Sequence, residues 1–114
     1  MADATTTVAD LRERVREFVH ARDWERFHTP KDLALAISIE ASELVERFLW
    51  RDTRPAADLS REERVGIADE LADVVIYGLS LVNALDLDLS EAVLRKLGKD
   101  VAKYPVDAFR GRAP

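Results

Sequence analysis

The architecture follows from two stretches of the chain, PKDLALAISIEASELVERFLW at residues 30–50 and SREERVGIADELADVVIYGLSLVNAL at residues 60–85. Each stretch begins with a helix-start signal. Thr29 is a capping residue followed by a first-turn proline, and Ser60 forms a capping-box pattern with Glu63. The apolar residues that follow recur at helical spacing, so we predict an α-helix over each stretch.

Two further helices flank this pair. Thr7 precedes an apolar pattern of helical spacing, and Asp88 precedes another. No segment shows the alternation typical of a strand. We therefore predict an all-α, four-helix bundle-like protomer in one domain over residues 1–114. Its helices are expected at residues 7–23, 30–50, 60–85 and 89–103, and its loose tails at residues 1–6 and 106–114.

The two central helices are apolar on more than one face. A chain of 114 residues has few other elements with which to cover them. The length predicts one domain with a single compact core, and in one interpretation these helices are simply the central pair of a bundle. In the other, which we favour, they also form a subunit interface, so we expect a homo-oligomer.

Composition excludes several classes of protein. The chain has no cysteine, which excludes disulfides and thiolate metal sites and agrees with a cytoplasmic location. The formal net charge of −5 argues against a protein that coats nucleic acid. The first residues lack the pattern of a secretory signal, and the longest apolar stretch, residues 71–85, is shorter than a membrane span. We expect neither a nucleic-acid polymer nor a membrane as partner.

Acidic residues interrupt the most apolar parts of both central helices. Glu40, Glu43 and Glu46 are spaced by three on one helix, and Glu70 and Asp73 are spaced by three on the next. On spacing alone, a solvated acidic face is the more common explanation. Two acidic pairs on apolar helices that pack antiparallel instead favour a bound cation, because crowded carboxylates repel one another. Oxygen ligands alone suit Mg²⁺, with Mn²⁺ as the alternative.

These motifs resemble a known family. The ExxE motif of Glu40 and Glu43 and the ExxD motif of Glu70 and Asp73 are similar to those of the all-α MazG-like nucleoside triphosphate pyrophosphohydrolases, especially the dCTP pyrophosphatases. The likeness extends from about Asp23 to Pro105. It passes in order through DWERFHTPKDLALAISIEASELVERFLW, DELADVVIYGLSLV and LRKLGKDVAKYP. It implies Mg²⁺-dependent hydrolysis of dCTP, or of a modified dCTP, to the monophosphate and pyrophosphate.

The resemblance also implies roles for particular residues. The implied metal ligands are Glu40, Glu43, Glu70 and Asp73. A base pocket is implied for Trp24, Trp50 and Tyr77, with His28 nearby. Triphosphate contacts are implied for Lys96 and Lys103, with Tyr104 at the pocket edge. The implied assembly is a homotetramer or a dimer with its sites built between subunits.

Asp100 stands where the family usually carries asparagine, and an ionised aspartate cannot donate a hydrogen bond to a phosphate or sugar oxygen. Asp100 therefore bears on the substrate contacts. Glu46 is a spare acid on the ligand helix. It is a candidate to accept a proton from the attacking water, and the equal alternative is a surface ion pair with Arg47 or Arg51.

Two other function classes fit the same helices. In a non-catalytic oligomerisation or adaptor module the acids would be solvated. A metal-dependent phosphohydrolase would release orthophosphate, although such enzymes usually rely on His-Asp ligand clusters, which this chain lacks.

Overall fold

The computed structural model describes residues 1–114, and all of its regular secondary structure is helical, which confirms the predicted all-α class. Four main helices occur, α1 (Val8–Ala21), α2 (Pro30–Glu46), α3 (Arg61–Leu85) and α4 (Leu89–Lys103). A four-residue helix, α5, covers Val106–Phe109, and single 3₁₀ turns cover Ala2–Ala4, Glu25–Phe27 and Ala56–Asp58. Both predicted tails thus contain a helical turn. No helix is both long enough and apolar enough to cross a membrane.

The predicted helix starts are confirmed by their caps. The hydroxyls of Thr7, Thr29 and Ser60 each accept a hydrogen bond from the backbone N–H three residues later. Asp88 caps α4 in the same way with its carboxylate. These side chains satisfy N–H groups that have no partner within the helix. Short polar caps before apolar runs therefore locate every main helix.

The ends of the first two helices were predicted too late. The backbone of Asp23 is left-handed (φ 53°), so α1 ends at Ala21 rather than at residue 23. The helix α2 ends at Glu46 rather than at residue 50. There Arg47 and Phe48 donate backbone hydrogen bonds three residues back, which tightens the last turn, and Trp50 is also left-handed (φ 64°). Residues 47–50 consequently belong to the connection and not to the helix.

Helices α2 and α3 form the main packed pair. Arg47, just after α2, forms an ion pair with Glu70 of α3. Glu40 lies two turns earlier in α2, and it is close enough to Asp73, one turn later in α3, for the two carboxylates to repel each other. The two helices therefore run antiparallel. Helix α1 packs on α3, where Arg12 Nε donates to Asn83 Oδ1 (3.0 Å) and Asn83 Nδ2 donates to the Arg12 carbonyl (2.9 Å).

The expected compact core is not formed within one chain. Only five residues are buried, Val19, Leu33, Leu79, Ser80 and Val82. The radius of gyration is 17.1 Å, whereas a compact chain of this length has roughly 13 Å. Helix α4 makes only sparse contacts with the other helices. Its apolar face, Val93, Leu94, Leu97 and Val101, is exposed.

Candidate functional site

Three carboxylates meet between α2 and α3. Glu40 and Glu43 lie one turn apart on α2, and Glu70 faces them from α3, so that one oxygen of each lies within 4.8 Å of the others. Antiparallel packing produces this convergence because it places the two acidic motifs at the same level. Asp73, the fourth predicted ligand, is exposed one turn beyond Glu70 and lies outside the group of three.

The electrostatics of this cluster are unfavourable as they stand. A hydrogen bond with Glu43, loss of hydration, and repulsion from the carboxylates of Glu43, Asp73 and Glu70 together raise the pKa of Glu40. One oxygen of Glu40 is buried with no hydrogen-bond partner. Arg47 is the single cation paired with the cluster, with Nη2 3.2 Å from Glu70 Oε1. A buried, unpaired carboxylate oxygen among other carboxylates is a ligand that a metal ion could satisfy.

Glu46 lies outside this cluster. It is the last residue of α2, it is exposed, and it makes no ion pair. The suggested surface pair with Arg47 or Arg51 is wrong, because Arg47 bonds to Glu70 and Arg51 bonds to Glu63. The carboxylate of Glu46 is therefore solvated in one chain.

The aromatic residues predicted for a base pocket are spread along the chain. Trp24 packs edge-on against Phe18, with ring centroids 5.6 Å apart. His28 lines a separate cavity of about 370 Å³ with Ser80 and Asn83. Tyr77 on α3 is half-buried, and Trp50, in the connection after α2, is 99% exposed. A single chain does not enclose a base pocket with these residues.

The predicted residues at the end of α4 contact one another. Lys96 Nζ lies 2.5 Å from Asp100 Oδ1, and Lys103 Nζ lies 5.3 Å from the centroid of the Tyr104 ring. Because α4 packs only sparsely on α2 and α3, one chain does not bring these side chains to the carboxylates. Asp100 thus neutralises a predicted phosphate contact, Lys96, which the asparagine usual in the family could not do by charge.

Sequence reasoning missed a cavity of about 300 Å³ beside the cluster. Its lining includes Arg47, Arg51 and Arg54, together with Glu63. The available signal was three arginines within eight residues around the end of α2. Such a run is ordinary in a polar loop, and spacing alone does not indicate that the loop folds back onto α3.

Comparison with known proteins gives a consistent result. Residues 35–113 match the MazG-like family. The chain is 40% identical over 109 residues to dCTP pyrophosphatase 1 of Mus musculus, and 40% identical over 106 residues to that of Homo sapiens. These matches cover 94% and 91% of this chain, which spans 64% and 62% of the length of those relatives.

A solved structure is also similar. It is that of a pyrophosphatase from Archaeoglobus fulgidus, which is 41% identical with a TM-score of 0.73. The match covers 82% of this chain and 87% of that one.

Proposed function

The chain belongs to the MazG-like family, and from this premise we propose that it hydrolyses a nucleoside triphosphate to the monophosphate and pyrophosphate. The observation that carries the proposal is the meeting of three carboxylates across α2 and α3, with one buried Glu40 oxygen unsatisfied. Solvated surface acids would each have water or a cation as partner. These residues instead form a site in which a single cation, Arg47, faces several carboxylates.

The donor set fits a hard divalent cation, which we propose to be Mg²⁺, with Mn²⁺ as the alternative. Glu40, Glu43 and Glu70 would hold it, and Asp73 would complete the set. When bound, such an ion neutralises the carboxylates, screens the triphosphate and polarises water. Phosphoryl chemistry depends mainly on positioning and charge stabilisation, so the absence of a nucleophilic serine or cysteine motif is no obstacle.

Glu46 is our candidate for the residue that orients the attacking water and accepts its proton. It lies one turn after Glu43 on the ligand helix, and the structure gives it no competing ion pair. A carboxylate that is not engaged by a cation is free to accept a hydrogen bond from water.

We propose dCTP, or a modified dCTP, as the substrate. The support is the likeness to relatives named dCTP pyrophosphatase 1. The flat rings of Trp24, Trp50 and Tyr77 suit stacking on a nucleobase, and His28 supplies a polar edge.

The proposed active unit is a homo-oligomer, a tetramer or a dimer. An apolar face on α4 and an almost fully exposed Trp50 are unusual in an isolated protomer. A second copy that covered α4 would bring Lys96, Asp100, Lys103 and Tyr104 towards a carboxylate cluster. No residue of one chain other than Arg47 supplies positive charge there.

A substrate panel tests the proposal directly. The protein is incubated with Mg²⁺ and, separately, with dCTP, 5-substituted dCTP, dUTP, dTTP and dATP, and the products are separated by ion-exchange chromatography. Monophosphate with pyrophosphate, and highest turnover for a cytosine nucleotide, is the expected result. Orthophosphate as the first product would identify a different phosphohydrolase. No turnover of any nucleotide would favour the adaptor module.

A further inference from the structure

We propose that the arginine-lined cavity at the end of α2 binds a pyrophosphate group, both as the terminal phosphates of the substrate and as the released product. Three guanidinium groups, those of Arg47, Arg51 and Arg54, line this cavity of about 300 Å³. The inference rests on the proposed function for the identity of the ligand. Its physical basis is the arrangement of these arginines.

Glu63 holds two of the arginines together. Its Oε1 accepts a hydrogen bond from Arg51 Nη1 (2.9 Å) and from Arg54 Nη2 (2.9 Å), while its Oε2 accepts one from the Ser60 backbone N–H (2.9 Å). The lining holds three arginines against two acids, Glu63 and Asp52, so it carries one excess positive charge. Each guanidinium has five N–H donors and uses only one on Glu63, so several donors remain for a ligand. Glu63 is thus a positioning residue for a fixed pair of arginines.

Arg47 connects the cavity to the carboxylate cluster. It lines the cavity, and its Nη2 also bonds to Glu70 Oε1 at 3.2 Å. The side chain lies against α3 at Gly66, where a methyl group would come within 2.5 Å of Arg47 Nη1. Glycine at position 66 therefore gives Arg47 room to lie between the two sites.

The chemistry of the ligand follows from this connection. A group bound here must be anionic, must offer several acceptor oxygens, and must reach a site beside three carboxylates that would hold a metal. Polyphosphate meets all three conditions, because guanidinium groups match phosphate oxygens in geometry and a divalent ion accounts for the neighbouring acids. A carboxylate ligand would add negative charge without the oxygens needed for three arginines.

The test measures pyrophosphate binding separately from turnover. Inorganic pyrophosphate is titrated calorimetrically into the full chain, with Mg²⁺ and with chelator, for the wild type, Arg51→Gln and Arg54→Gln. We expect each variant to weaken binding about tenfold, the loss typical of one charge-assisted hydrogen bond. Arg112→Gln, an exposed arginine outside the cavity, is the matched control and should bind like the wild type.

Two further measurements show whether the bound pyrophosphate group belongs to the substrate or to the product, and whether the substitutions act only by disturbing the structure. If KM for dCTP rises in Arg51→Gln and Arg54→Gln, the cavity binds the substrate as well as the product. If KM is unchanged and only inhibition by pyrophosphate weakens, the cavity binds the product alone. Binding of dCMP, which lacks the terminal phosphates, should not change. Equal losses for dCMP and pyrophosphate, or wild-type pyrophosphate binding in both variants, would overturn the inference.

Failure of the proposed function would be recognised separately. A protein that hydrolyses no nucleotide but binds pyrophosphate through Arg51 and Arg54 keeps the anion site and loses the catalytic assignment. A protein that hydrolyses dCTP with unchanged pyrophosphate binding in both variants keeps the activity and loses this site.

Discussion

Helices α2 and α4 both carry apolar residues and predicted site residues, yet they are packed differently. Helix α2 packs against α3, buries Leu33 almost completely and places two glutamates against Glu70. Helix α4 leaves Leu94 69% exposed and pairs its own Lys96 with its own Asp100. The carboxylates of the proposed site therefore meet within one chain, whereas the proposed site residues of α4 are not brought to them.

The largest expected effect is in the carboxylate cluster that one chain builds. Glu43→Gln removes a proposed metal ligand and should reduce kcat/KM for dCTP about a thousandfold. It should also abolish the rise in Tm produced by Mg²⁺. Glu17→Gln, which makes the same change on an exposed face of α1, should retain both properties. A Mg²⁺-dependent rise in Tm that Glu43→Gln leaves unchanged would contradict the ligand assignment.

The contribution of packing to stability is the second expected difference between α2 and α4. Leu33 is 1% exposed, so Leu33→Ala should lower the free energy of unfolding by about 2–5 kcal/mol. Leu94→Ala makes the same truncation on α4 and should change the stability of the protomer by less than about 0.5 kcal/mol. Urea unfolding at a concentration where the protein is monomeric measures both. Equal losses would mean that α4 is packed within its own chain.

The sequence predicted local features well because their causes are local. Each helix start depends on one capping side chain and the N–H groups of the same turn, so Thr7, Thr29 and Ser60 could be recognised without any tertiary information. The approach of the acidic motifs could also be anticipated, because helical spacing places each pair on one face of its helix and consecutive helices are usually neighbours in space.

Other features depended on contacts that a pattern does not contain. The end of α2 was predicted four residues late because Phe48 and Leu49 continue its apolar pattern, although the backbone turns away at Arg47. The arginine cavity depends on a loop that folds back to Glu63. The core was overestimated because apolar periodicity identifies the apolar face of a helix and does not show whether another element of the chain covers it.

Assembly can be tested on α4 alone. Leu97→Glu places a charge on the exposed apolar face and should remove roughly 1.5–3 kcal/mol of burial at each subunit contact. Light scattering after size exclusion should show a smaller particle, with dCTP hydrolysis lost in parallel. Lys99→Glu introduces the same acid on the opposite face of the helix and should leave the mass unchanged. An unchanged mass for Leu97→Glu would place the interface elsewhere.

Substitution of Glu46, on the same helix as Glu40 and Glu43, is expected to lower activity less than substitution of a metal ligand. Glu46→Gln should lower kcat about a hundredfold, the size of a general-base contribution, while the Mg²⁺-dependent rise in Tm persists. This separates a residue that acts on water from one that binds metal. An unchanged kcat would assign the proton to another acceptor.

The smallest expected effect concerns Glu63, which joins the first turn of α3 to the α2–α3 connection through Arg51 and Arg54. A hydrogen bond from the Ser60 backbone N–H, a second from Arg54, and the charges of Arg54 and Arg51 lower the pKa of Glu63 from 4.5 to about 2. Because the folded pKa is depressed, the carboxylate stabilises the folded state above pH 4.5, and this contribution is lost as the pH falls towards 2. The Tm difference between the wild type and Glu63→Gln should therefore shrink between pH 6 and pH 3. Glu62→Gln, which removes an acid without an ion pair from the same turn, should show a smaller pH-dependent difference. If the Tm difference between the wild type and Glu63→Gln is the same at both pH values, an ionised Glu63 does not hold the two arginines. The cavity would then be less ordered than the carboxylate cluster beside it.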